Sequence, residues 1–454
     1  MNSTTSTFVP IPQELIELII GYVSHPPTLR ACALTGPQFL HASQRGLFAE
    51  VVLSPPKSKH SSNTTPAQRF LNTIISSPHL TSFVRALVIE CEDSVLEQPW
   101  LYSDTALQHI LPILSKLAKI SVNGKIHPEH ERAPTKANLS WSSLSATLRS
   151  ALTSIMRTGT VIDLELGGFS RIPVSYVIQS CSQLKKLSLL PLYVVDDVDK
   201  DDTVSEDELA AEPPMINDNN SDDSIMCEST AQLEDITIKQ SGIALRRTTD
   251  WLLRPGSGPN INRLQKINFT VSDNEDHLCV AKIVDACAGT LKHLELTPGP
   301  EVGSVRHLLR KVAPPEDLSS SAFGLSNLGE LHSLKINTEI RMYKLNNNRY
   351  SDPLPWIVSL LSSLPDKNLL STLELSIGMH VNQQTLESVV WTKLVKLLSQ
   401  EQFTGLQRFV LNLSLVPAKE GGESQAVPRW VPEVLKKNVH LATLLNKGLL
   451  TLDC

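Results

Sequence analysis

Leu291-Lys292-His293-Leu294-Glu295-Leu296 places three leucines three and then two residues apart, and this frame decides the reading of the chain. The same apolar-x-x-apolar-x-apolar spacing occurs at Val84, Leu87 and Ile89, at Leu117, Ile120 and Val122, and at Val161, Leu164 and Leu166. It returns at Leu184, Leu187 and Leu189, at Leu233, Ile236 and Ile238, and at Leu264, Ile267 and Phe269. Beyond the quoted copy it occurs at Leu331, Leu334 and Ile336, at Leu370, Leu373 and Leu375, and at Leu406, Phe409 and Leu411. Successive copies start 33, 44, 23, 49, 31, 27, 40, 39 and 36 residues apart. The period of two inside each frame predicts a short strand with one buried face.

Helical patterns fill the gaps. Val280, Ile283, Val284 and Cys287 share a face that ends at Gly289, a residue suited to a helix C-cap. Val174, Val177, Ile178 and Cys181 precede Leu184 in the same way; Trp356, Ile357, Leu360 and Leu361 precede Leu370; Val390, Leu394, Leu397 and Leu398 precede Leu406. Strand and helix alternating about ten times predict an α/β chain. The arrangement resembles a leucine-rich-repeat solenoid: units that cannot bury their own apolar faces stack into one core, with a parallel sheet on the concave side. The alternative is an ordinary α/β domain, which does not require the constant three-then-two spacing. Copies longer and less even than the usual repeat, with no asparagine at a fixed place after the last leucine (Leu192, Gly299 and Glu339 stand there), predict an irregular solenoid.

Composition agrees with a large packed core: 68 of the 454 residues are leucine, and charged residues are 19%. No run of 18 apolar residues predicts a transmembrane helix. The seven cysteines (Cys32, Cys91, Cys181, Cys227, Cys279, Cys287 and Cys454) form no CxxC pair and read as reduced thiols of a cytoplasmic or nuclear protein. Of the net charge of −6, the segment Asp196 to Asp223 alone holds −11, so the rest of the chain is at +5. That segment, 196–223, reads as a disordered acidic insertion. No basic stripe predicts nucleic-acid binding, and no membrane partner is expected.

The first fifty residues read as three helices. Pro12 suits a first turn, and Leu15, Ile16, Ile19, Ile20 and Val23 mark the first apolar face. Pro26-Pro27 is expected to end that helix, Thr28 to cap the second, and Gly36-Pro37 to separate it from a third carrying Phe39, Leu40, Leu47 and Phe48. Val51-Val52-Leu53 reads as a strand. The expected organisation is thus a helical module over 1–53, a linker or long loop over 54–67, and the solenoid over 68–454.

Ile11-Pro12-x-Glu14-Leu15, Ile19-Ile20, Tyr22-Val23 and Leu29-Arg30-Ala31-Cys32-Ala33-Leu34, with Leu47-Phe48 downstream, resemble an F-box-like domain of the fungal type. The resemblance covers about one tenth of the chain, and Phe39 stands where the family usually has Trp. It implies a substrate-receptor subunit of a cullin-type ubiquitin ligase, bound to the ligase adaptor and through it to the cullin. The adaptor-facing positions it implies are Pro12, Leu15, Ile16, Ile19, Ile20, Leu29, Cys32 and Leu34. A target protein would then be held by residues facing outward between the leucines, a polar row of mixed sign that includes Lys186, Asp235, Thr297, Ser376 and Asn412, and chiefly by Lys266, Asn268, His293, Glu295, Lys335, Asn337, Glu374 and Arg408. The rival reading is a repeat scaffold unconnected with ubiquitination, in which the helices only cap the stack.

Signatures of catalysis are missing from the sequence. There is no GxxxxGK[ST], and Gly256-Ser257-Gly258 lacks the GxSxG spacing. His127-Pro128-Glu129-His130-Glu131 fits no zinc spacing. The expectation is a binding protein with no enzyme activity and no cofactor.

Overall fold

The structure is a computed structural model. It describes residues 11–55, 64–92, 100–125, 139–170, 181–190, 231–239, 243–254, 259–271, 274–298, 324–341, 353–380, 391–415, 433–434, 437–446 and 448–453. The acidic segment 196–223, the pattern through Val174, Val177 and Ile178, Val390, His127 to Glu131, Leu192, Gly256 to Gly258, Gly299, Cys227 and Cys454 lie outside these residues.

Three helices open the chain: α1 (Gln13–Gly21), α2 (Pro26–Thr35) and α3 (Pro37–Phe48). The proline pair begins α2 instead of ending α1. Proline presets the φ of a first turn, where its missing N–H is not needed, so Pro26 displaces the expected cap at Thr28. Thr28 Oγ1 instead bonds His25 Nδ1 at 2.9 Å. Strand β1 (Glu50–Leu53) follows directly, and Leu53 belongs to the main core, so the structural boundary of the helical module falls between Phe48 and Glu50. Helix α4 (Pro66–Ser76) starts inside the stretch expected to be a linker. Thr65 caps it, accepting from the Gln68 N–H at 3.0 Å, and Ala67 is fully buried. Thr-Pro-Ala looks like loop by composition but is a helix start by position.

Strands β2 (Ala86–Glu92) and β3 (Lys119–Lys125) follow, separated by helices α5 (Trp100–Ser103) and α6 (Leu107–Ile110). Then come β4 (Leu139–Ser140), α7 (Ala146–Arg157), β5 (Asp163–Gly167) and β6 (Phe169–Ser170). The remaining strands are β7 (Lys186–Leu189), β8 (Asp235–Ile238), β9 (Lys266–Val271), β10 (His293–Pro298), β11 (Ser333–Arg341), β12 (Thr372–His380), β13 (Arg408–Leu415) and β14 (Leu450–Asp453). Helices Ile243–Leu252, Asn274–Ala286, Leu354–Ser362, Thr392–Leu398 and Val439–Asn446 lie between or after them.

Among the described residues twelve strands form one sheet in the order β1-β2-β3-β5-β7-β8-β9-β10-β11-β12-β13-β14, and every pair is parallel. The order never reverses, so among the described residues each strand of this sheet bonds to the sheet strands that come before and after it in the chain. Each of the ten apolar frames supplies one strand, from β2 to β13 with β4 and β6 left aside as a separate pair.

The register stacks the frames side by side. One inward row runs Val51, Leu87, Ile120, Leu164, Leu187, Ile236, Ile267, Leu294, Leu334, Leu373, Phe409 and Leu450. The next runs from Leu53 through Ile89, Val122 and Leu166 to Leu375 and Leu411. The backbone repeats as strictly as the side chains. At the start of ten strands one carbonyl accepts two consecutive N–H groups, as Gln265 O does from Lys292 and His293, both at 2.9 Å. A carbonyl has two lone pairs, so both donors are satisfied. Fixing each new strand at its first residue holds the register whether the preceding connection is short or long, and a slip by one residue would turn every leucine outward.

One core cluster extends from Leu53 to Leu450 through all twelve strands and the flanking helices. A second, separate cluster lies in the helical module: Ile16, Ile20, Leu29 and Ala42, with Val23, Cys32, Phe39 and Leu47 packed against it. The module meets the rest through α3. The His41 ring stands edge-on to Phe83 at 5.1 Å, and His79 Nε2 donates to Gln44 Oε1 at 3.4 Å.

Candidate functional site

Residues between the inward rows face away from the core and make a polar sheet face. In the first two outward positions of nine consecutive strands the charge alternates strictly. Strands β3, β7, β9, β11 and β13 carry Lys119, Lys186, Lys266, Lys335 and Arg408. The strands between them carry Asp163 with Glu165, then Asp235, Glu295 and Glu374. Opposite charges on adjacent strands attract, and like charges there would repel.

The pairs have a consistent depth. Lys119 reaches Glu165 at 3.8 Å, with side-chain exposures of 36 and 23%. Lys266 reaches Asp235 at 3.6 Å, at 53 and 22%. Lys335, at 36%, lies 3.5 Å from Glu295 (25%) and 3.2 Å from Glu374 (29%). In each pair the carboxylate sits low on the sheet and the ammonium stands above it, as a long lysine stem allows.

Asparagines hold the carboxylates down. Asn123 Nδ2 donates to Glu165 Oε1 at 2.6 Å, and Asn268 Nδ2 to Glu295 Oε2 at 2.9 Å. Asn337 Nδ2 donates to the other Glu295 oxygen at 3.0 Å and to Thr297 Oγ1 at 2.8 Å. Asn412 Nδ2 donates to Glu374 Oε1 at 3.0 Å. The Oδ1 atoms of Asn123, Asn268 and Asn412 are covered and have no donor among the described residues.

Titration follows the geometry. Burial alone would lower Lys335, but the hydrogen bond and charge of Glu374 and the charge of Glu295 outweigh it and hold the ammonium above its usual value. Burial pushes the Asp163 carboxyl up, against the pull of Lys119 and Lys186. Burial, then the neighbouring His332, Lys266 and Lys292, lowers His293, with Asp235 opposing.

The eight residues expected to hold a target (Lys266, Asn268, His293, Glu295, Lys335, Asn337, Glu374 and Arg408) all lie on this face, on the five adjacent strands β9 to β13. The structure joins Thr297, Ser376 and Asn412, residues of the same outward row, to their hydrogen-bond network, and extends the charged row beyond Lys186 and Asp235 back to Lys119, Asp163 and Glu165. The sequence signal for that extension is a charged residue directly before the second apolar position of successive frames, with its sign alternating from Lys119 to Lys266.

The helical module presents a different surface. Of the eight residues expected to face an adaptor, Ile16, Ile20 and Leu29 are 3–5% exposed and form the module's own core, and half-exposed Cys32 packs against them. These four hold the helices together. Pro12, Leu15, Ile19 and Leu34 are exposed. They have exposed apolar company: Ile11, Leu18, Tyr22 and Leu40. A helix with two turns of core-facing residues and apolar side chains on its other face was not separable into inner and outer sides by sequence alone, because both faces fit a helical period.

Among the described residues no group of three or more His, Cys, Asp or Glu side chains is placed to hold a metal ion. Burial pushes the thiols of Cys181 and Cys287 up to about 12, which leaves them poor nucleophiles. No described helix is long and apolar enough to cross a membrane. No protein-family model matches the chain, and no curated protein is significantly similar to it.

Proposed function

We propose that the chain is a substrate receptor of a cullin-type ubiquitin ligase, in which an F-box-like module of α1 to α3 docks the ligase adaptor and an irregular leucine-rich-repeat-like solenoid holds the target protein. The observation that carries this reading is the module's imbalance. Its buried core is four residues, while Ile11, Leu15, Leu18, Ile19, Tyr22, Leu34 and Leu40 are 41–88% exposed. So much exposed apolar surface on so small a unit marks an interaction site. The sequential parallel sheet supports the solenoid half of the reading, because a stack of units contacting only their neighbours is what repeat proteins build. The receptor would work without catalytic residues, by raising the effective concentration of target beside the ligase.

The test is a pulldown of the full-length chain with purified adaptor. Leu15→Asp and Ile19→Asp should abolish capture and leave the thermal unfolding unchanged, since both positions are exposed. Ile16→Asp should instead unfold the module, because a buried unpaired carboxylate costs several kcal/mol. Failure of the wild-type chain to bind would leave a repeat scaffold with capping helices.

A further inference from the structure

Charges on the polar sheet face compensate one another along most of its length and stop doing so at one place. In the outward row directly before the second apolar position of each frame, Lys119, Asp163, Lys186, Asp235 and Lys266 alternate in sign from β3 to β9. On β10 the register sets His293 beside Lys266, where continued alternation would need a carboxylate. On β11 it sets Ser333 beside His293. Compensation therefore ends at the rim where β9, β10 and β11 begin.

Other bases gather at that rim. Lys292 directly precedes His293 and is exposed, His332 directly precedes Ser333, and Arg263 is exposed on the turn leading into β9. The strand starts hold them in place: Gln265 O accepts the N–H groups of Lys292 and His293, and Lys292 O accepts those of His332 and Ser333 at 2.8 and 3.0 Å. Nδ1 of His332 donates to the Glu330 carbonyl at 2.7 Å, which leaves Nε2 as the ring nitrogen for a ligand. Most carboxylates nearby are taken. Asp235 faces Lys266 at 3.6 Å, Glu234 holds Lys185 at 2.8 Å, and Glu295 is engaged by Asn268, Asn337 and Lys335. The side chains of Arg263, Lys292 and His293 have no hydrogen bond or ion pair among the described residues. Arg263, Lys266 and Lys292 against Asp235 and the exposed Glu330 leave +1 with neutral imidazoles and +3 with both protonated.

His293 registers the imbalance: burial, His332, Lys266 and Lys292 all hold it below its usual value, and Asp235 alone opposes. An anion bound beside it would offset those causes, so binding takes up a proton. The three strand starts span about 9.4–9.8 Å, two interstrand spacings. Alternate side chains of an extended peptide stand ~6.8 Å apart on one side, so carboxylates two residues apart fit within that width. A nucleic-acid strand, with a charge about every 3.4 Å, would run on past the bases toward Asp235 and Glu234.

We propose that the rim formed by the starts of β9, β10 and β11 binds a short acidic segment of the target protein, whose carboxylates are received by Arg263, Lys266, Lys292, His293 and His332. This rests on the target-holding half of the reading above and is independent of the adaptor half.

The experiment is fluorescence anisotropy on the full-length chain at low salt, without adaptor, so that this proposal and adaptor docking can fail separately. The probes are a labelled peptide with four consecutive glutamates, the same peptide with glutamines in their place, and a single-stranded oligonucleotide. The glutamate peptide should bind at least about tenfold tighter than the glutamine one. Arg263→Ser with Lys292→Ser should weaken it about tenfold. Lys393→Ser with Lys396→Ser, exposed positions on the helix Thr392–Leu398, removes the same charge and should change binding less than about twofold. Glutamates stay ionised from about pH 8 to about pH 6, so binding should tighten about threefold or more as pH falls over that range, and His293→Gln should remove most of the dependence. All five substituted positions are exposed, so each variant should melt like the wild type. Equal binding of the two peptides, equal loss in the two double variants, a pH dependence that is absent or that survives His293→Gln, or an equally tight oligonucleotide would each overturn the proposal.

Discussion

Replacing Leu294 by Ala should loosen the middle of the sheet and leave its far strands intact. Leu294 is 1% exposed and sits in the inward row between Ile267 of β9 and Leu334 of β11. A buried Leu→Ala change costs about 2–5 kcal/mol, transfer and cavity terms together. In local opening this is roughly a 30- to 5,000-fold increase, at RT of about 0.59 kcal/mol. Among the described residues each strand of the sheet bonds to the sheet strands before and after it, so the penalty should stay near β9, β10 and β11. Hydrogen exchange read by mass spectrometry on the full chain measures this directly. Amides of Ile267 to Phe269, Leu294 to Leu296 and Leu334 to Ile336 should exchange faster, while those of Leu87 to Ile89 in β2 should not change. Equal acceleration in β2 and β10 would refute the nearest-neighbour reasoning, since it would mean that the sheet opens only as a whole.

Two further outcomes follow from particular sites. Gly168 has φ +71°, and a Cβ there would lie 2.5 Å from Gly124 Cα and 2.8 Å from its carbonyl oxygen. Gly168→Ala should lower the melting temperature by an amount worth at least about 1–2 kcal/mol, whereas Gly289→Ala, which meets no atom within 4 Å, should not; equal melting of the two variants would contradict the close approach. The carboxyl of Asp163 is raised above 3.8 by burial, so the folded state holds its proton more tightly than the unfolded chain, and ionisation at neutral pH opposes folding. Asp163→Asn should therefore stabilise the protein at pH 7, with the gain shrinking as pH falls toward 3.8 and absent below it, as urea unfolding across that range would show.

Much of the sheet is legible in the sequence because a parallel strand buried on one face needs apolar residues at fixed spacing, and each frame from Val84 to Leu411 is such a strand. Helix faces such as Val280, Ile283, Val284 and Cys287 were legible for the same reason; all four are buried. Boundaries were less so. Pro26-Pro27 reads equally well as a stop and as a start, and Thr65-Pro66-Ala67 has loop composition; the chain beyond each decides, not the residues themselves. Leu53 looks like the end of the helical module but is the first rung of the main core, because its partner Ile89 lies 36 residues downstream.

By itself, then, the amino-acid order determined an alternating α/β chain, the ten strand positions and which residues face outward, since these rest on local periodicity. Only the tertiary structure decided which side of α1 is core and which is free, because Leu15 and Ile16 are apolar side chains of equal size and only Ile16 meets the residues of α2 and α3 that make the module's core. It alone also turned scattered charges into a row. Lys119, Asp163, Lys186 and Asp235 are separated by 44, 23 and 49 residues, and parallel pairing makes them neighbours regardless of the length of chain between them.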